Sequence, residues 1–202
     1  MVKIAVFVSG NGSNLQALMD AEDHGLIPEG KIVLVVSDKK DAYALKRAEE
    51  RGIATFVLEK TGFSSREDYD KVILGRLREE GIDLVVLAGF MRILSSCFVH
   101  AYSDRILNIH PALLPDFKGA SAIKDAYEAR VKKTGVTVHF VTEELDSGPA
   151  ILQEKVEVLN GDTLDSLEER IHRVEHRLYP EAVRLFTEGK LELKDGKVNI
   201  KK

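Results

Sequence analysis

Four short aliphatic runs, separated by segments of helical period, constrain this chain more than any other feature. Residues 3–9 (KIAVFVS), 31–38 (KIVLVVSD), 53–58 (IATFVL) and 83–89 (DLVVLAG) are nearly continuous in apolar residues. A strand with one face in water alternates apolar with polar; one without alternation is buried on both faces. The intervening segments, 13–25, about 41–51 and 66–81, space their apolar residues as a helix does, and Gly25 closes the first of them. Strands of this kind alternating with helices predict an α/β fold: a parallel sheet, helices on both faces, right-handed crossovers.

The pattern changes after residue 100. Residues 106–110 (ILNIH) read as a further strand, 122–135 as a helix, and 136–158 as two strands around a turn-rich loop. Residues 163–189 form a long helix that Pro180 is expected to kink. The tail LELKDGKVNI reads as a hairpin turning at Asp195-Gly196, a pair suited to a type I′ turn. No repeat, low-complexity tract or Pro/Gly linker divides the chain, so residues 1–202 are expected to form a single domain.

Charge and cysteine usage exclude several classes. The net charge of −4, with no basic run beyond short lysine pairs, argues against a nucleic-acid partner. The single cysteine, Cys97, excludes an intramolecular disulfide framework and a cysteine-rich zinc site. The opening VKIAVFVSG lacks the basic flank and cleavage site of a signal peptide, and no apolar run approaches the roughly 20 residues of a membrane helix. A soluble cytoplasmic protein without membrane contact is expected.

Five stretches carry candidate chemistry. SGNGSNL (9–15) joins a strand to a helix; Gly10 and Gly12 permit close backbone approach, and Ser13 or Asn14 can cap the helix. Its first amides would then face an anion. The third glycine of a dinucleotide fingerprint is replaced by Leu15, and the lysine of a Walker loop is absent, so a phosphate monoester is favoured. Asp38, ending the second strand, has the look of a ribose ligand, although strand ends often carry such a residue. GFMRILSS (89–96) follows a strand at its carboxyl end, where open α/β sheets bind ligands. Its apolar residues suit a pocket for a flat ring and suit the core equally well. HRVEH (172–176) matches one zinc-peptidase pattern, yet no third ligand can be nominated, and no metal is expected.

The remaining two stretches belong together. In NIHPALLPDFKG (108–119), Asn108 and His110 project from one face of the strand, and Pro111 holds His110 extended. An amide can stabilise an oxyanion and an imidazole can donate a proton. TEELDSGPAIL (142–152) places Asp146 in a loop; most such aspartates cap a turn, and a catalytic one would have to meet His110 at the same end of the sheet. With no G-x-S-x-G elbow and no thiolate-stabilising context at Cys97, this set suggests direct acyl transfer through a tetrahedral intermediate.

SGNGSNLQAL, SREDYD, LAGFMRILS, LNIHPALLP, GVTVHFVTEELDSGPAILQ and EHRLYPEAVRLF, in this order, resemble the folate-dependent formyltransferases over essentially the whole chain. The resemblance is strongest to those members that formylate the glycinamide amine of 5′-phosphoribosylglycinamide in purine synthesis. It implies a Rossmann-like, mostly parallel twisted sheet, with a phosphate-binding part over about 1–100 and a catalytic and folate-binding part over about 101–202. It implies 10-formyltetrahydrofolate as cosubstrate, small-molecule partners only, and leaves a homodimer open. By the same resemblance Asn108, His110 and Asp146 are catalytic, Gly12, Ser13, Asn14 and Glu175 hold the ribonucleotide, and Arg66, Met91, Arg92, Ile93, Leu94 and Asn108 contact the folate. Two positions depart from the family's common pattern: ASAIKDA has Ser121 and Ile123 where histidines are frequent, and Asp38 stands where asparagine is common.

Relatives with the same formyl donor are the alternatives. Methionyl-tRNA formyltransferases usually carry a further carboxyl-terminal domain, and formyltetrahydrofolate hydrolases an amino-terminal one. The length of this chain, its acidity and the GNGSN loop favour a small ribonucleotide acceptor.

Overall fold

A computed structural model describes residues 1–201. Strands β1 (Val2–Val8), β2 (Gly30–Ser37), β3 (Ala54–Val57), β4 (Leu84–Leu87) and β5 (Ile106–His110) run parallel, in the order β3-β2-β1-β4-β5. Strands β6 (Lys133–Phe140) and β7 (Ala150–Glu157) extend the sheet antiparallel beyond β5. The aliphatic runs thus form the parallel part of an α/β sheet of seven strands, and the whole is mostly parallel, as the family resemblance implies.

Strand β1 shows why those runs do not alternate. Ile4, Val6 and Val8 join one core cluster with helices α1 (Ser13–Asp23) and α6 (Leu164–Thr187). Ala5 and Phe7 join a second cluster on the other face, with α3 (Arg66–Glu80) and α4 (Ser96–Ala101). Each side chain from Ile4 to Val8 leaves water, and each large one contributes roughly 1.5–3 kcal/mol. Helix α2 (Tyr43–Glu50) lies between β2 and β3 in the chain.

The helix ends follow their local chemistry. Ser65 caps α3 by accepting the Asp68 N–H at 3.0 Å, and Gly81, at φ 66°, ends it. Thr163 and Ser166 form a reciprocal capping box at the start of α6. At α1 the expected cap is corrected: Gly12, which has no side chain to bond, occupies the N-cap, while Ser13 and Asn14 lie inside the helix and the Asn14 amide donates to Glu175.

Other expectations shift as well. The helix read over 122–135 is shorter: α5 spans Ala122–Glu128, and Arg130 has the left-handed φ of 51°. Lys133–Gly135 pair instead with Lys155–Glu157 of β7, so sheet pairing overrides the helical period there. Helix α4 had no counterpart in the sequence reading. Helix α6 continues unbroken through Pro180. The tail forms the expected hairpin of β8 (Leu191–Lys194) and β9 (Lys197–Ile200), with both turn residues at positive φ. Among the described residues no helix is long and apolar enough to cross a membrane.

The strand order reverses direction between β1 and β4, the switch point at which open α/β sheets bind ligands. The loops after β1 and β4 and the end of β5 all lie at the carboxyl edge of these three neighbouring parallel strands.

Candidate active site

The loop after β1 presents backbone. Gly12 has φ 79°, and a Cβ there would meet the Ala44 Cβ at 2.5 Å. Arg47 holds the same loop by donating its Nε to the Asn11 carbonyl at 2.9 Å and Nη2 to Asn11 Oδ1 at 3.0 Å. Gly12, Ser13 and Asn14 thereby form the first turn of α1, whose free N–H groups favour an anion.

Glu175, on α6, faces this turn. Its Oε2 accepts from Asn14 Nδ2 at 3.2 Å, and His172 Nε2 stands 4.0 Å from the same oxygen. Burial pushes the Glu175 carboxyl above the ordinary carboxylate range, while His172 and the Asn14 amide pull against that rise. In the HRVEH segment the His172 and His176 rings stack with centroids 6.3 Å apart. Among the described residues no three His, Cys, Asp or Glu side chains are grouped to hold a metal.

After β4, residues 89–95 form a loop whose apolar residues divide. Leu94 is buried in the core, whereas Met91 and Ile93 are 66% and 56% exposed. Arg92 lies over the Tyr69 ring at 4.0 Å rather than in an ion pair. Arg66 is exposed on the first turn of α3.

At the end of β5 three separated segments converge. His110, 4% exposed, donates Nε2–H to the Phe117 carbonyl at 2.8 Å, since a carbonyl can only accept. Its Nδ1 faces Asp146 Oδ2 at 3.6 Å. Asp146 is buried, adopts a left-handed φ of 49°, and accepts the Gly119 N–H at 2.9 Å. The loop carrying it returns so closely to β6 that a Cβ at Gly148 would stand 1.8 Å from the Phe140 oxygen.

Asn108 pairs across the antiparallel ladder with His139. The His139 Nδ1 donates to the Phe140 carbonyl at 2.8 Å, which fixes the tautomer and leaves Nε2 as an acceptor. That lone pair takes one N–H of the Asn108 amide at 3.1 Å, so the amino group of Asn108 is oriented by its neighbour and keeps a second N–H for another acceptor. Burial lowers the His139 pKa, which favours this neutral ring; the Phe140 bond and the Asp146 charge oppose the shift, and His110 adds to it. His139 Nε2 also stands 3.8 Å from Asp146 Oδ1, too far for a hydrogen bond.

A half-buried amide donor, a buried imidazole and a buried carboxylate thus lie together at the end of β5, with no serine or cysteine nucleophile among their hydrogen-bond partners. The sequence model of the formyl transferase family matches residues 2–183. The chain belongs to the formyl transferase family. It is 46% identical over 195 residues to the phosphoribosylglycinamide formyltransferase of Escherichia coli K12, covering 96% of itself and 92% of that protein. It also resembles the trifunctional purine biosynthetic protein adenosine-3 of Gallus gallus, at 46% identity over 98% of itself, spanning 20% of that longer protein. The crystal structure of glycinamide ribonucleotide transformylase 1 from Symbiobacterium toebii superposes with a TM-score of 0.97 at 46% identity, covering all of this chain and 95% of that one.

Two supports of this cluster escaped the sequence reading. His139 lies in an apolar run, and only strand pairing reveals that it faces Asn108. Thr137, opposite His110, donates to the Ala112 carbonyl at 2.7 Å and accepts the Leu114 N–H at 3.1 Å, which fixes the turn after His110. Ile123 packs against the core, and Ser121 sits exposed at the N-cap of α5 without a side-chain bond.

Proposed function

We propose that this protein transfers the formyl group of 10-formyltetrahydrofolate to the glycinamide amine of 5′-phosphoribosylglycinamide, a step of de novo purine biosynthesis in the cytoplasm. The carrying observation is the cluster of half-buried Asn108 with buried His110 and Asp146, in a chain that matches a phosphoribosylglycinamide formyltransferase over 96% of its length.

In this reading the amine attacks the formyl carbon directly, and the carbonyl electrons move to oxygen. The free N–H of Asn108 stabilises that oxyanion, and His110 joins it when its Nε2–H leaves the Phe117 carbonyl. Asp146, 3.6 Å from the His110 Nδ1, orients the ring and directs the proton that passes from the amine to the folate nitrogen as the carbon–nitrogen bond breaks. Holding both substrates in one site supplies much of the rate, since no covalent enzyme intermediate forms. The part over about 1–100 holds the ribonucleotide phosphate on Gly12, Ser13 and Asn14, with Glu175 reaching its ribose or glycinamide portion. The part over about 101–202 contributes much of the folate site, completed by Met91, Arg92, Ile93 and Leu94, with Arg66 toward the acidic tail of the folate. The exposed apolar side chains of Met91 and Ile93 support that assignment.

The deciding assay combines purified protein with both substrates and follows the absorbance of deformylated folate. Folate release should require the ribonucleotide. Release that ignores it would make the protein a 10-formyltetrahydrofolate hydrolase, and no turnover by folded protein would overturn the reading.

A further inference from the structure

Asp38 stands where a ribose ligand could sit, but the structure gives it another task. The last backbone bond described between β1 and β4 runs from the Ala88 N–H to the Phe7 carbonyl at 2.8 Å. Beyond it, the Ser9 hydroxyl links the two segments. Ser9, 4% exposed, accepts the Met91 N–H at 2.8 Å and donates to Asp38 Oδ1 at 2.6 Å. The direction is forced: a backbone N–H only donates, so the proton of the serine must go to the carboxylate.

The far end of the same loop is fixed in a parallel way. Ser95 donates both its backbone N–H and its hydroxyl to Asp70 Oδ2, each at 2.6 Å, and Asp70 is 2% exposed. Between the two serines, Arg92 rests on the Tyr69 ring. The phosphate-facing loop has separate anchors on α2, where the Ala44 N–H bonds the Gly10 carbonyl at 3.1 Å and Arg47 holds Asn11. Loss of the Ser9 hydroxyl therefore frees the 89–95 loop selectively, and leaves the Met91 N–H and the Asp38 carboxylate without this partner.

We infer that Ser9 and Asp38 are positioning residues for the folate side of the reaction, holding the Met91–Leu94 backbone in register with the carboxyl edge of β1. The inference rests on the function proposed above. Its test is steady-state kinetics with each substrate varied in turn, on Ser9→Ala, Asp38→Ala and Asp38→Asn. Ser9→Ala should raise the KM for the formyl-folate about tenfold, the size of one charge-assisted hydrogen bond lost, with the ribonucleotide KM little changed. Asp38→Ala should follow in the same direction. Asp38→Asn, which keeps an acceptor oxygen for Ser9, should restore near-native values.

A folate KM within about twofold of wild type in Ser9→Ala, an equal rise in both KM values, or an Asp38→Asn variant as impaired as Asp38→Ala would overturn the inference. If Ser9→Ala fails to fold, the Asp38 pair carries the same decision. Hydrogen exchange at the Met91 amide separates this inference from the function itself, because it needs no turnover. Slow exchange in wild type and fast exchange in Asp38→Ala support the restraint, even if the proposed substrates are wrong; equally fast exchange in both removes it.

Discussion

Around Gly12 the chain offers backbone, whereas around His110 it offers side chains. The first region needs a left-handed glycine, a helix start and the braces of Arg47; the atoms it presents to a ligand are largely peptide N–H groups. In the second, Asn108, His110, His139 and Asp146 are set by ladder register and by one another. A phosphate is a stable charge, well matched by fixed dipoles. An oxyanion that exists only during reaction requires donors already oriented, and a proton that can move. The contrast teaches that substitutions should fail in different ways: through geometry in the first region and through chemistry in the second.

The largest effect should come from His110→Ala. Turnover is expected to fall by about 10²–10⁴-fold with ribonucleotide affinity nearly unchanged. Calorimetric titration beside a single-turnover assay checks both halves, and a comparable loss of affinity would break the distinction between the regions. Asp146→Asn keeps an oxygen for the Gly119 N–H but removes the charge beside His110, so turnover should fall about 100-fold at an almost unchanged melting temperature.

Gly12→Ala tests the other region. The new methyl would press on Ala44 in a backbone conformation that costs an L-residue about 1–2 kcal/mol. Ribonucleotide affinity and stability should drop together, while formyl-folate affinity stays near native; an unchanged melting temperature would contradict the packing described.

The smallest effects are opposite pH slopes of stability. Burial holds His139 neutral in the native state, whereas the unfolded chain takes up that proton near about pH 6.5. The unfolded state then binds more protons, so the stability supplied by His139 is present above that pH and is lost as pH falls through the lowered native value. Glu175 has a raised native pKa, so its contribution is whole below the ordinary glutamate value and is lost as pH rises through the raised one. In urea unfolding, His139→Gln should flatten the decline on the acidic side. Glu175→Gln should gain on wild type as pH increases from about 4. Slopes of the same sign would show that the two buried environments do not differ as described.

Much of the architecture was legible because burial on two faces leaves its mark in every residue of a strand. The runs at 3–9, 31–38, 53–58 and 83–89 each mark a parallel strand, with ends displaced by one or two residues. Where the outcome depended on a partner, the sequence was silent. Lys133–Gly135 read as helix until β7 lay alongside, and six residues at Ser96 formed a helix too short to show a period. The site followed the same division. Asn108 and His110 shared one strand and could be seen as a pair, and the meeting of Asp146 with His110 was a condition the topology had to satisfy. His139, Ser9 and Asp70 act across the sheet or between loops, through bonds that no local pattern encodes.

The hydroxyl of Tyr179 donates to the carbonyls of both Leu87 and Leu107, binding α6 to β4 and β5 directly beneath the site. The chain contains five tyrosines and no tryptophan, so these phenols dominate its near-ultraviolet spectrum. Burial holds Tyr179 well above the ordinary phenol range, raises Tyr102, and pushes Tyr69 up to about 12. As alkali is added, their phenolate absorbance should therefore arrive late and in one step with the loss of far-ultraviolet ellipticity. That ultraviolet shift is a built-in gauge of whether the helix still lies on the sheet.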